Sequence, residues 1–289
     1  VQSRGLIDMF QSDTRLSAVF ATQQRWLMSH VGLAIYFDAL ADGSTPKLRI
    51  SNFIDTIHAH RIASRNTADS YVKELINYKY VLQTNDPDDK RRRQLTPAPS
   101  VLKAIAGWLQ LHLASLDELA GGQRLETFRD RPDMIAVIQP AIAHGLIHNR
   151  AVRNPDATFS LFTWLDNGGL VMDWLITNMP DLPPETERVP VGRLQVADLA
   201  AMLNLSRSHL SRKLREAEDL GSIGWEGHRG HSVMWVSRGF RQEYATAQAV
   251  KLSIIDHAFE LAEKSRPIGD SPLAPPPGPD VGALQAADA

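Results

Sequence analysis

The 289-residue chain has no cysteine. Disulfide frameworks, thiolate metal sites and cysteine nucleophiles are excluded with it, and a reducing cytoplasm suits such a chain. No run of about 18 apolar residues is present that could span a bilayer, so no membrane partner is expected. The opening residues, VQSRGLIDMF, lack the basic-then-apolar order of a secretory signal. Net charge is nearly missing too, at −2 with a pI near 6.6. Taken alone, that balance argues against a nucleic-acid binder, because neutralising phosphates needs clustered lysine and arginine. There is no glycine-rich phosphate loop and no assignable serine–histidine–acid arrangement. Neither an enzyme nor a cofactor is expected.

What is present is globular: 43% apolar and 22% charged residues, enough for two ordinary domains or one large one. The charge is unevenly distributed. Residues 47–93 carry ten Lys/Arg against six Asp/Glu, and 193–241 carry eight against five. The intervening 117–188 carry six against eleven, so two cationic modules flank an acidic middle.

Helical periodicity dominates. It predicts a long helix over 16–40, a break at Asp42-Gly43-Ser44-Thr45-Pro46, and short helices over 51–59 and 65–79. YVLQTNDPDDKRRRQLTP reads as a β-hairpin with a turn-rich tip, and a long helix follows over 101–119. The middle predicts helices over 133–149, with Pro140 as a kink or break, and over 159–179. MPDLPPETERVPVGR reads as a connector. Two short helices over 196–203 and 207–220, a hairpin in IGWEGHRGHSVMWVS and a last helix over 238–264 complete the pattern. The Pro/Ala-rich residues from 265 predict a disordered tail.

Residues 196–223 read VADLAAMLNLSRSHLSRKLREAEDLGSI. Leu199, Met202 and Leu203 give the first helix an apolar face. Asn204-Leu205 supplies a tight turn with Leu205 in its corner. Ser206 can cap the second helix by accepting a first-turn N–H. On that helix Leu210, Leu214 and Ala217 face inward, leaving Arg207, Ser208, His209, Ser211, Arg212 and Arg215 outward. Arginine reads guanine edges bidentately, and serine and arginine hold phosphates, so this face suits a major groove. His228, Arg229 and His231 at the following hairpin tip suit a groove contact or a merely polar loop.

A second copy lies upstream. Setting Ser64 on Ser206 places Arg65, Asn66, Thr67, Asp69, Ser70 and Lys73 outward and Ala68, Val72 and Leu75 inward, with a first turn one or two residues longer. Its hairpin carries Lys90, Arg91, Arg92 and Arg93, four consecutive cations that suit phosphates or a minor groove.

The later stretch resembles the winged helix-turn-helix of bacterial transcriptional regulators, and NDPDDKRRRQLTP is similar to the wing of MarR-type regulators. The resemblance covers roughly 16–119 and 159–264. It implies a mostly α fold with small β-hairpin wings: tandem winged helix-turn-helix domains joined by long helices, with pseudo-twofold symmetry. The domains expected are 12–120, an acidic helical linker or core region 121–190, 191–264, and the tail 265–289. The partner implied is double-stranded DNA, in the cytoplasm at the nucleoid. A small anionic or aromatic effector is implied between the long helices, where Trp164, Met172, Trp174 and Met179, with Trp26 and Trp108, could line a cavity or simply be core. The chain would be a monomeric pseudo-dimer or a homodimer. A plasmid-type replication initiator and a tandem winged-helix interaction scaffold are the alternative readings. His144 and His148, four apart, read as ordinary helix histidines rather than zinc ligands, and no metal is expected. His58 and His60 read as capping or phosphate-contacting groups.

Overall fold

A computed structural model of the chain describes residues 2–41, 48–85, 93–267 and 273. The break at 42–46, the hairpin tip 86–92 with Lys90, Arg91 and Arg92, and nearly all of the tail lie outside the described residues. The rest is mostly helical, with two small antiparallel sheets. In chain order the elements are α1 (Gln2–Ser12), α2 (Thr14–Ser17), α3 (Gln23–Ala41), α4 (Ile50–Ala59), α5 (Arg65–Asn77), β1 (Val81–Asn85), β2 (Arg93–Pro97), α6 (Pro99–Ala120), α7 (Arg124–Asp130), α8 (Ile135–His148) and α9 (Arg150–Arg153). They continue with α10 (Ala157–Thr163), α11 (Gly168–Thr177), β3 (Arg188–Arg193), α12 (Val196–Met202), α13 (Arg207–Asp219), β4 (Ile223–Trp225), β5 (Val233–Ser237) and α14 (Arg238–Glu263).

Two stretches repeat the same backbone logic at the level of single hydrogen bonds. Each short helix, α4 and α12, stops at a residue in the left-handed region, Arg61 (φ 53°) and Asn204 (φ 52°). The amide of the next residue then reaches back, Ile62 to the Ile57 carbonyl and Leu205 to the Ala200 carbonyl. This is the helix stop in which an apolar side chain beyond the cap closes the turn. Ser64 Oγ then accepts from Thr67 N at 3.1 Å, and Ser206 Oγ from His209 N at 3.5 Å. Helices α5 and α13 end the same way, at Lys79 (φ 60°) and Gly221 (φ 68°). Tyr80 N bonds Leu75 O, Ser222 N bonds Ala217 O, and the residues that cap α6 and α14 bond back, Ala98 N to Tyr80 O and Ser237 N to Ser222 O. The offset is constant from the serine caps to the first hairpin strands. The first turn is one residue longer in the earlier copy. Ser64→Ala is expected to cost about 1 kcal/mol, and Ser206→Ala less, given its longer bond; urea midpoints of both variants measure this.

The hairpins differ. β1 and β2 pair from Val81↔Pro97 to Asn85↔Arg93. In the later copy the strand order is β3-β5-β4, so a third strand joins. The proline-rich segment read as a connector therefore supplies β3. Val189 and Val191 are buried from it, and Pro190 sits on an edge strand at a bulge, where its missing N–H is tolerated. In the earlier copy the same side is met by a single bond, Leu95 N to Leu48 O at 2.8 Å.

Three other expectations change. The helix expected over 16–40 is interrupted, because Thr22 caps a new start by accepting from Arg25 N at 3.2 Å. The helix expected over 159–179 breaks at Asn167 (φ 54°), whose amide bonds Ala21 O and whose side chain donates to Leu203 O at 3.0 Å. Gly168 is required there, since a Cβ would lie 1.9 Å from the Phe162 carbonyl oxygen. Pro140, by contrast, does not break α8. It removes one N–H donor, but Ile135, Ala136, Ile138, Ile142 and Leu146 are fully buried and hold the helix through packing.

Two apolar cores result. The first joins α3 to α6 and α8, and the second gathers around α11, α12, α13 and the three-stranded sheet. Residues 121–190 divide between them: α7 and α8 enter the first, α10 and α11 the second. The ends of the chain cross over. Phe10 of α1 is buried in the second core, while Leu252, Ile255, Ala258, Phe259 and Ala262 of α14 are buried in the first. Ser3 and Tyr244 hydroxyls meet at 2.7 Å and Gln2 donates to Gln248 at 2.8 Å, which fastens α1 to α14. No helix among the described residues is long and apolar enough to cross a membrane.

Candidate nucleic-acid interface

Helices α5 and α13 each bury one face and leave the other in solvent. On α13, Leu210, Leu214 and Ala217 are buried, while Arg207, Ser208, Arg212 and Arg215 are exposed and His209 and Ser211 half-buried. On α5, Ala68, Tyr71 and Val72 are buried, and Arg65, Asn66, Thr67, Ser70 and Lys73 are exposed. Leu75 is partly buried against the first core. One apolar residue departs from its expected place: Met202, at the end of α12, is 37% exposed, because the turn at Asn204 buries Leu203 instead.

Several of these cations are paired within the chain. Arg65 meets Asp55 at 2.6 Å, Lys73 meets Asp69 at 2.7 Å, and Arg212 lies 3.8 Å from Glu216. All three pairs are solvent-exposed, and such pairs contribute about 0–1 kcal/mol, so an incoming phosphate can replace either carboxylate at little cost. Arg207 and Arg215 have no ion-pair partner among the described residues. Arg93 is exposed at the end of β2.

The later hairpin is arranged differently from its sequence reading. His228 and His231 are exposed at the tip, but Arg229 turns back onto α13, pairing with Glu218 and lying 5.2 Å over the Trp225 ring. Burial, then the nearby Arg215, lowers its pKa. It braces the hairpin against the helix rather than reaching away from it.

The first exposed stripe is tied to the long helix behind it. Ser29 on α3 hydrogen-bonds the Tyr71 hydroxyl on α5, and Arg25 pairs with Glu74 while lying 5.3 Å over the Tyr71 ring. Arg153 donates to the carbonyls of His60 and Arg61 at 2.9 Å each, satisfying the end of α4. His60 caps that helix, and its ring lies against His148, which stacks with His144. His58 is exposed.

Behind the stripes, a cavity of about 730 Å³ opens between the two cores. Trp26, Trp108 and Met172 line it, but Trp164 is 59% exposed and Trp174 and Met179 pack at the second core. Sequence reasoning missed the polar groups at its wall: His30, Asp173 and Lys251. The available signal was register. Lys251 falls seven residues from Tyr244 and four from Ile255, on the buried face of α14. His30 accepts from Gln139 at 2.8 Å and is pushed down to about 3 by burial and then by Lys251, so it is neutral. Burial pushes the Asp173 carboxyl up to about 6, against the Tyr244 hydroxyl that donates to it and against Lys251. Burial lowers Lys251 to about 8, with Asp173 opposing.

Because Asp173 titrates higher folded than unfolded, its stabilising proton is fully held below its ordinary pKa of 3.8 and lost as pH rises through about 6. Asp173→Asn keeps an acceptor for Tyr244 and removes that loss. It is expected to flatten the stability profile between pH 4 and 6 and to exceed the parent above pH 6 by at most about 3 kcal/mol, read from urea denaturation at stepped pH.

Compared with known proteins, the chain matches no family model, no curated protein and no solved structure.

Proposed function

We propose that this chain is a sequence-specific regulator of transcription that binds double-stranded DNA through two winged helix-turn-helix units. In this reading α5 and α13 are the recognition helices, and the hairpins β1–β2 and β4–β5 are the wings. The observation that carries it is the repeated chain of caps and turns that aims two polar, arginine-bearing helix faces at solvent while burying their leucine and alanine faces. A helix of this kind fits a major groove, with side chains free to meet base edges and phosphates. The exchange of α1 and α14 between the cores supports one polypeptide doing the work of a pseudo-twofold dimer, acting in the cytoplasm at the nucleoid.

Unequal recognition helices predict an imperfect palindrome. Selecting bound duplexes from a random-sequence pool should enrich two related half-sites about one helical turn apart. Tandem direct repeats would favour a replication initiator, and an unenriched pool would rule out sequence-specific reading. The exposed ion pairs Arg65–Asp55, Lys73–Asp69 and Arg212–Glu216 favour a second reading, an interaction scaffold without DNA contact, because they neutralise part of each stripe internally.

A further inference from the structure

We infer that the cavity between the two cores is a binding site for an apolar monocarboxylate, whose carboxylate is held by Lys251. The inference goes beyond DNA binding and stands or falls without it. The volume of about 730 Å³ is in the range of small-molecule sites. The walls come from both cores: Leu16, Trp26, Leu33 and Trp108 from the first side, Phe10 and Met172 from the second. Exposed Ser12, Asp13, Ser100 and Lys103 border the cavity and mark its mouth, between the end of α1 and the start of α6.

Inside that apolar shell, Lys251 is the one enclosed cation among the described lining residues, since Lys103 is at the mouth and His30 is neutral. Protein surrounds the Lys251 side chain, and what surface it retains borders the cavity. It has no hydrogen-bond or ion-pair partner among the described residues. The nearby carboxylate, Asp173, accepts from the Tyr244 hydroxyl and makes no ion pair with Lys251. A desolvated ammonium without an acceptor is costly, and a carboxylate that reaches it gains a charge-assisted hydrogen bond in a medium of low dielectric constant. A second negative charge on the ligand would meet no second enclosed cation, and a cationic ligand would meet Lys251 itself. The rest of the ligand touches tryptophan, phenylalanine, leucine and methionine, so its body is alkyl or aryl.

The test is calorimetric titration of the full chain at pH 7 with decanoate and cinnamate, each beside its alcohol, decanol and cinnamyl alcohol. At least one carboxylate should bind with one site per chain, and its alcohol should bind about tenfold or more weakly. The better arm identifies the body as alkyl or aryl. Lys251→Met should abolish the preference for carboxylate over alcohol while melting no lower than the parent, because it removes a buried charge. Met172→Trp, which fills the cavity and keeps Lys251, should lose the binding altogether. The inference is overturned if neither carboxylate binds, if the alcohols bind equally well, or if carboxylate binding survives either substitution.

Discussion

Arg212→Ala with Arg215→Ala is expected to weaken binding of duplex DNA by at least about tenfold, and Arg65→Ala with Lys73→Ala to do the same. Removing a side chain that reads a base edge bidentately costs about 1–3 kcal/mol. Removing one that neutralises a phosphate lowers the slope of log affinity against log salt by about 0.9. The two effects are separable in one experiment. A side chain that reads bases lowers affinity for the preferred duplex more than for a random one, while a side chain on phosphate lowers both equally and flattens the salt dependence. Folding should survive these changes, because all four side chains are exposed and three of them take part only in exposed ion pairs. Polarisation titrations of the two double variants at several salt concentrations measure the effect. If affinity and slope stay at parent values in both, the stripes are not the DNA face.

The second large effect is on stability. Ile255 on α14 is fully buried in the first core, although its helix begins in the second, where Phe240 and Tyr244 are buried. Ile255→Ala is expected to cost about 2–5 kcal/mol, the usual range for a buried aliphatic side chain cut to a methyl group. A shared helix also makes the halves mutually dependent, so the parent and the variant should each unfold in one transition. Circular dichroism at 222 nm and tryptophan fluorescence should give coincident melts. Two separated transitions would mean that α14 does not couple the cores.

The elements that carry local chemistry were legible in the sequence. Ser64 and Ser206, with apolar residues at three- and four-residue steps behind them, mark α5 and α13 to within a few residues. Asn204 and Gly221 mark two of the left-handed stops, but Arg61 and Lys79 hold the same conformation without being residues that favour it. There the repeat, not the residue type, gives the turn away. What escaped reading depends on distant partners. β3 is a strand because β5 lies beside it, and its two valines and a proline look like a linker until that edge is known. α1 is too short for its periodicity to reveal that Phe10 belongs to a core more than 150 residues away in the chain. Lys251 is an ordinary lysine in the sequence and an enclosed one in the fold. Periodicity reports which residues face inward, not whether the interior is filled. The stripe of Arg207, Ser208, Arg212 and Arg215 was legible, but Arg229 was not separable from the exposed histidines of its hairpin, because its partner Glu218 sits on another element.

The most direct test is a polarisation titration of the full chain into random-sequence duplex DNA at 50 mM and 200 mM salt. Two recognition helices and their hairpins should together meet about six to ten phosphates, and affinity should then fall by about 10³–10⁵ between the two concentrations. Failure to bind at 50 mM salt, or an affinity that salt does not change, would contradict the DNA reading and leave the twin helix faces to a protein partner.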